Sequence, residues 1–163
     1  MPASGVWNFL IWLHYLALSL WIGGIGFLAG IAAPLVHRSM ASRSVAGEIV
    51  RAMLKRLNTV ELTCCMLLLV TSFSAFRFVA GHRLLGGLIT LILIMGILTS
   101  FYAFHVAPQM QAIKDRNLTF EALPAGNPDK AEFDRLHKFY VRLMSLNLML
   151  GLVVLYGSVI LFK

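Results

Sequence analysis

A run of about thirty residues without one charged side chain, from Trp7 to Val36, is the feature that constrains this chain most. An α-helix rises about 1.5 Å per residue, so about twenty apolar residues cross the hydrocarbon core of a bilayer. Three more apolar runs follow the first. Because lipid offers the backbone no hydrogen-bond partner, each run is expected to be helical. The sequence therefore predicts an all-α integral membrane protein.

The apolar runs divide the chain into four predicted spans within a single membrane domain, residues 1–163. The spans cover about 7–36, 60–78, 84–106 and 143–162, and the long connections cover 37–59 and 107–142. Successive spans of one chain cross the membrane in alternating directions, which predicts an up-down four-helix bundle. Apolar residues recur every four positions in the first long connection, at Val45, Ile49, Met53 and Leu57. This pattern predicts a helix that lies in the membrane interface ahead of the second span.

The distribution of charge indicates a membrane surface rather than nucleic acid as the partner of the basic residues. The chain has 14 Lys and Arg, 7 Asp and Glu, and a formal net charge of +7. The basic residues are concentrated in the connections after spans one and three, which the positive-inside rule places in the cytoplasm beside anionic lipid. We therefore expect both termini outside, in a bacterial inner membrane. Pro108 is expected to terminate the third span, and the polar stretch from Gln109 to Leu136 is expected to be a loop flanked by extended ends of the third and fourth helices.

The first span has two different faces. Gly23, Gly26 and Gly30 lie near one face, where Gly26 and Gly30 would let another helix approach closely. His14 lies on nearly the opposite side, at the top of a separate stripe. That stripe continues through Leu18, Trp21, Ile25 and Ala32. We expect another helix to dock on the glycine face, and a homo-oligomer or a larger membrane complex would use the same surface.

Polar groups near the ends of several spans form a candidate metal site or proton-handling group. The predicted metal ligands are His37, Glu61, His105 and His137. The predicted polar network around them comprises Arg56, Asn58 and Asn147. A stripe below Glu61 is predicted to face the inside of the bundle, through Cys65, Leu68, Ser72 and Ala75. The alternative is that Arg56 pairs with Glu61 or a lipid phosphate, while the histidines cap helix ends.

His14 is a second candidate, because an imidazole well inside an apolar span needs a partner. It could ligate a haem iron or copper, or it could bond to a neighbouring hydroxyl or carbonyl group. His14, His105 and His137 are the predicted cofactor ligands. The chain has no nucleophile elbow, phosphate loop, dinucleotide fingerprint or zinc-protease motif. An enzymatic function is therefore not favoured.

Several segments resemble a family of small four-span membrane proteins of unassigned function, which includes a human protein associated with cisplatin resistance. The resemblance rests on LHYLALSLWIGGIGFLAGIAAPLV, on Arg56, Asn58 and Glu61, on FHVAPQM, and on the spacing from His137 to Asn147. The first span is also similar to that of copper-resistance D-type membrane proteins and, more distantly, to that of J-type protoporphyrinogen oxidases, which are associated with haem. These resemblances imply that His14 is a ligand. The chain is much shorter than the copper-resistance type and lacks its methionine-rich segment.

Three functions follow from these observations, ahead of a fourth, an enzyme of the oxidase kind. The first is a membrane protein that binds or handles haem or a transition metal through its histidines. The second is a transporter or exporter of a small solute or a metal, for which four spans would require an oligomer. The third is a structural accessory subunit that packs on a larger membrane complex.

Overall fold

The computed structural model describes residues 4–78, 82–117, 120, 123–124 and 126–163. Four helices in this part of the chain are long and apolar enough to cross a membrane. They are span one, Gly5–Ser39; span two, Arg43–Ala75; span three, His82–Arg116; and span four, Pro128–Leu161. The predicted all-helical, four-span architecture is confirmed, and it implies contact with lipid.

Consecutive spans pack against each other, and span one also packs against span four, so the four helices form a closed antiparallel bundle. The start of span one and the end of span four lie at the same end of the bundle. There the ring of Trp7 lies 4.9 Å from the ring of Phe78 and 5.7 Å from that of Phe162, between centroids. We call this end of the bundle the terminal end. The opposite end, where spans two and four begin after Ser42 and Asn127, is called the basic end.

Two prolines lie inside helices and not at their ends. Proline lacks an N–H group and its ring clashes with the carbonyl group four residues earlier, which normally breaks a helix. A widened π-helical turn precedes each proline: Leu28–Ala32 before Pro34, and Tyr102–Val106 before Pro108. The prediction that Pro108 terminates the third span is therefore wrong, because the widened turn accommodates the ring. The helix continues to Arg116, in agreement with the predicted extension of this helix.

The helices extend beyond the apolar runs at the basic end. The segment predicted to be a separate interfacial helix forms roughly the first four turns of the unbroken helix Arg43–Ala75. Its N-terminus is capped by the side chain of Ser42, which accepts a backbone hydrogen bond. Span four begins at Pro128, where the side chain of Asn127 accepts a hydrogen bond of 2.9 Å from the N–H of Asp129.

Span one turns its histidine stripe, and not its glycine face, towards the bundle. The stripe residues His14, Leu18, Trp21, Ile25 and Ala32 are all buried. A Cβ atom built on Gly23, Gly26 or Gly30 would meet nothing within 4 Å. The expectation of a docked helix is thus wrong for the described part of this chain, and docking by another chain stays a prediction. The predicted inward stripe of span two is confirmed, since Glu61, Cys65, Leu68, Ser72 and Ala75 are buried.

Close contacts between spans occur at other glycines. A Cβ atom on Gly96 would lie 2.6 Å from Sγ of Cys65, and one on Gly157 would lie 2.6 Å from Cδ2 of Leu88. The absence of a side chain at these positions lets span three pack closely against spans two and four. This close packing brings polar side chains of different spans within hydrogen-bond distance.

Candidate functional site: two buried polar clusters

The core of the bundle is mostly apolar, but it contains two polar clusters at different depths. The histidine cluster consists of His14, Thr71 and Ser158 and lies nearer the terminal end. The carboxyl cluster consists of Glu61, Thr99, Tyr102 and Asn147 and lies about midway along its helices. Every member of both clusters is at most 2% exposed. Neither lipid nor bulk water can therefore satisfy these side chains.

The histidine cluster joins three spans. Nδ1 of His14 lies 2.8 Å from Oγ1 of Thr71, and Nε2 lies 3.0 Å from Oγ of Ser158. Thr71 also donates to the carbonyl oxygen of Leu67, at 2.9 Å. Since a hydroxyl group has one hydrogen, Thr71 then accepts from Nδ1–H, and Ser158 donates to Nε2. A neutral imidazole thus has both nitrogens satisfied, and a metal ion would have to displace one hydroxyl partner.

The carboxyl cluster also joins three spans. Oε2 of Glu61, on span two, lies within hydrogen-bond distance of Oγ1 of Thr99, at 3.2 Å, and of the hydroxyl of Tyr102, both on span three. Nδ2 of Asn147, on span four, donates to Oγ1 of Thr99 at 2.9 Å and to the Tyr102 hydroxyl at 3.2 Å. Thr99 and Tyr102 are three residues apart, so both reach the same side of span three.

A neutral carboxyl group accounts for every contact in this cluster. The hydroxyl oxygens of Thr99 and Tyr102 are 3.0 Å apart, and each group has a single hydrogen. If Glu61 is ionised, both hydroxyls donate to its Oε2, and no hydrogen remains between them. If Glu61 is protonated on Oε2, it donates to Tyr102, Tyr102 donates to Thr99, and Thr99 donates to Glu61. The protonated form therefore closes a ring of three hydrogen bonds.

The polar contacts continue from the carboxyl cluster towards the basic end. The hydroxyl of Tyr140, on span four, donates to Oδ1 of Asn58, on span two, at 3.3 Å. The Tyr140 ring lies 5.0 Å from the Tyr102 ring, between centroids, in an edge-to-face arrangement. Both Asn58 and Tyr140 are buried. They extend the buried polar contacts from the carboxyl cluster, at the centre of the bundle, towards its basic end.

The four predicted metal ligands do not converge on one site. His37, His105 and His137 are exposed, whereas Glu61 is fully buried. Nε2 of His105 lies 3.0 Å from Nε2 of Gln109 on its own span, and His137 stacks on Phe133 of its own span. Among the residues with described positions, no group of three or more His, Cys, Asp or Glu side chains could hold a metal ion.

The predicted polar network is brought together only in part. Asn147 shares hydroxyl partners with Glu61, and Asn58 lies one contact further towards the basic end. Arg56 is exposed, and Glu61 bonds to hydroxyl groups rather than to this guanidinium group. The alternative expectation of an Arg56–Glu61 pair is therefore wrong.

The hydroxyl partners in both clusters were not identified from the sequence as site residues. Thr71, Thr99, Tyr102 and Ser158 all lie in apolar runs, where a polar side chain is a weak indication of an inward face. Residue type alone is not decisive, because exposed Thr63 bonds equally well to its own helix, at 2.9 Å from the carbonyl oxygen of Thr59. Only the register between spans shows which hydroxyls meet a buried imidazole or carboxyl group.

The profile of one protein family, described as "Domain of unknown function (DUF4149)", matches residues 16–118. The match extends from the first span to just beyond the third and covers more than half of the chain, which therefore belongs to this family. The predicted membership of a family of unassigned function is thus confirmed. Comparisons with curated proteins and with solved structures find no match. No named relative supports the links to cisplatin resistance or to copper-resistance D-type proteins.

Proposed function

We propose that this member of the DUF4149 family is a membrane carrier for a small solute, driven by protonation of Glu61. One observation carries the proposal: a carboxyl group on span two is held at the centre of the bundle by hydroxyl groups of span three, which span four bonds in turn. Ionisable groups at such positions are costly, and they characteristically mark ion pathways and proton relays. Structural packing alone could be achieved more cheaply by apolar side chains.

The two protonation states of Glu61 would favour different packing of the spans. The neutral state closes the hydrogen-bonded ring between spans two and three. Loss of the proton places a charge in an apolar core and removes one bond of that ring, so the ionised state favours separation of the spans and entry of water or solute. This difference between the states is the coupling that a proton-driven carrier needs.

The positions of the two prolines fit this mechanism. The π-helical turns before Pro34 and Pro108 occupy corresponding places in spans one and three, and Tyr102 begins the second of them. Paired spans interrupted at corresponding positions are typical of binding sites in transporters, and widened turns are frequent at functional sites. Movement at the second turn would act directly on a hydrogen-bond partner of Glu61.

Orientation and assembly form part of the proposal. The basic end would face the cytoplasm of a bacterial inner membrane, because exposed basic side chains lie there. These side chains include Arg51, Lys55, Arg135, Lys138 and Arg142. A four-span carrier would act as a homo-oligomer, and the exposed glycine face of span one is the surface available for it. Packing on a larger membrane complex would use the same surface.

Haem or transition-metal binding has less support from the geometry. Both nitrogens of His14 are hydrogen-bonded, and His105 and His137 are exposed on different spans. An absorbance spectrum and metal analysis of gently purified protein would test this alternative. A Soret band or stoichiometric metal that is lost in His14→Ala or His105→Ala would replace the carrier proposal with a cofactor-binding one.

The carrier proposal is tested with purified protein in liposomes that contain a pH-sensitive dye. An inward proton gradient is imposed, and a panel of small organic cations, organic anions and neutral solutes is added to the vesicles one at a time. At least one solute should increase proton movement through the wild-type protein, and Glu61→Gln should reduce it to the rate of protein-free vesicles. Glu48→Gln, at an exposed position of the same span, is the matched control and should behave as wild type.

Equal proton movement in wild-type, Glu61→Gln and protein-free vesicles across the whole panel would contradict the proposal. Folding of each variant is checked by helicity and by elution in size-exclusion chromatography. Glutamine keeps the size of the side chain and can still hydrogen-bond to the two hydroxyls, so loss of movement reports the loss of the titratable group.

A further inference from the structure

We infer that a water-binding site inside the bundle connects the carboxyl cluster to the histidine cluster, which makes a proton, and not a metal cation, the ion exchanged at Glu61. The inference deepens the proposed function and rests on it for the direction of exchange. Its structural part, the bound water, stands on separate observations.

Four polar atoms in the core have no hydrogen-bond partner within the described ranges. They are Nε1 of Trp21, Oε1 of Glu61, Oγ of Ser72 and Oδ1 of Asn147. Their residues are at most 1% exposed, so bulk water does not reach them. Buried polar atoms nearly always bond to protein or to ordered water. Four such atoms in one small core therefore indicate bound water.

The four atoms are distributed over the depth of the core from the histidine cluster to the carboxyl cluster. Ser72 directly follows Thr71, at the level of the histidine cluster. Trp21 is on the same face as His14 and seven residues further, about 10 Å along span one. Glu61 is ten residues from Thr71, about 15 Å along span two. The indole group of Trp21 thus lies between the histidine and the carboxyl group in depth.

Contacts with span four support this order. A Cβ atom on Gly151 would lie 3.1 Å from Cγ1 of Ile22, so Gly151 lies at the level of Trp21. Asn147 is four residues before Gly151, about 6 Å closer to the basic end. The side chains of Asn147 and Glu61 both bond to the hydroxyls of Thr99 and Tyr102 on span three. Each of these two side chains also carries one of the unpartnered oxygens. The two acceptors therefore lie on one side of the indole group in depth.

The hydrogen-bond donor and acceptor properties of the four atoms indicate that their ligand is water. Glu61 and Asn147 offer oxygen acceptors, Trp21 offers an N–H donor, and Ser72 can do both. A metal cation would satisfy the oxygens but would be repelled by the indole hydrogen. Water donates and accepts, so a short file of water molecules satisfies all four atoms.

Proton exchange then needs no other reactant. Rotation of the neutral Glu61 carboxyl group turns its protonated oxygen from Tyr102 to the adjacent water. The O–H bond then breaks, the proton forms a new O–H bond on that water, and the carboxylate keeps the electron pair. At the far end of the file the hydroxyl of Ser158, which donates to Nε2 of His14, can accept a hydrogen bond from the last water. Beyond them the Phe162 ring stands edge-on to the imidazole, 5.1 Å away between centroids, and closes the terminal end.

The test is hydrogen exchange in the full chain, labelled with ¹⁵N and held in lipid nanodiscs. The indole resonance of Trp21 is assigned from its absence in Trp21→Phe, and exchange is followed after transfer into D₂O. We expect the Trp21 indole hydrogen to exchange while the backbone amides of Leu18 and Ile25, on the same buried face, remain protected. A cross-peak between the indole hydrogen and water should accompany the exchange.

An indole hydrogen as protected as those two amides would overturn the inference. So would a saturable change of the Trp21 resonance on titration with Na⁺ or K⁺ at constant pH, because that result would identify a cation site. The result of the hydrogen-exchange experiment does not depend on the result of the liposome experiment. Exchange without proton movement would leave the water site standing and remove the carrier, and proton movement without exchange would do the reverse.

Discussion

Removal of the Thr71 hydroxyl tests whether the histidine cluster stabilises the bundle. Thr71→Val keeps the shape of the side chain but removes the acceptor that lies 2.8 Å from Nδ1 of His14. Side-chain hydrogen bonds between membrane helices contribute about 0.6 kcal/mol on average and up to about 1.7 kcal/mol. A buried donor left without a partner costs about 1–3 kcal/mol. His14 is 1% exposed and cannot turn to water, so its donor would stay unpaired.

We therefore expect Thr71→Val to lower the free energy of unfolding by about 1–2 kcal/mol, which is roughly a 5- to 30-fold change in the ratio of folded to unfolded protein. The measurement is reversible unfolding in mixed micelles of a mild detergent and sodium dodecyl sulfate, followed by tryptophan fluorescence and helicity. Two properties are compared between variants: the slope of the unfolding free energy against detergent composition, and the reversibility of unfolding. This comparison ensures that a change of unfolding mechanism is not mistaken for a change of stability.

Thr63→Val is a closely matched control. Thr63 lies on the same span, and both hydroxyls donate to the carbonyl oxygen four residues earlier at 2.9 Å. Thr63 is exposed, so its replacement should change the free energy of unfolding by less than about 0.5 kcal/mol. Equal effects of the two substitutions would refute the reasoning, because the contact with His14 would then contribute nothing beyond the helix propensity of valine.

Two further predictions concern glycines. Gly26→Leu should leave the fold of the monomer unchanged, because a side chain there meets nothing within 4 Å. It should dissociate the oligomer, as measured by light scattering after gentle extraction. A monomeric wild-type protein, or an unchanged oligomer in the variant, would count against the glycine face. Gly96→Ala should lower the free energy of unfolding by about 1–3 kcal/mol in the mixed-micelle assay, because the new Cβ would lie 2.6 Å from Sγ of Cys65. Gly87→Ala, with no atom within 4 Å, should instead be neutral or stabilising by up to about 1 kcal/mol, and a reversed order of the two variants would show that the packing is misassigned.

The number of spans could be predicted from the sequence because lipid imposes one simple condition on a long apolar run. The inward faces of spans one and two could also be predicted, from His14 and Glu61. In lipid, both faces of a span can be apolar, so hydrophobicity does not say which face is buried. A costly polar side chain does, since it turns away from the hydrocarbon. The glycine face was a weaker guide, because small residues permit close packing without requiring it.

The composition of the clusters could not be predicted, because it depends on the register between helices. Thr99 and Tyr102 were visible as polar residues in the third run, yet nothing in the sequence places them beside Glu61 and not beside His105. The predicted convergence of histidines rested on their similar depth in the membrane. Similar depth does not determine which way each side chain points. The continuation of the helix through Pro108 was missed because a π-helical turn has no strong sequence pattern.

Infrared difference spectroscopy of the lipid-embedded protein during a pH change tests the carboxyl cluster most directly. A buried, neutral, hydrogen-bonded Glu61 predicts a carbonyl band of a protonated carboxylic acid that disappears at high pH and shifts in D₂O. That band should be missing in Glu61→Gln and retained in Glu48→Gln, whose replaced side chain is exposed. A wild-type difference spectrum identical to that of Glu61→Gln would contradict a titrating acid at the centre of the bundle.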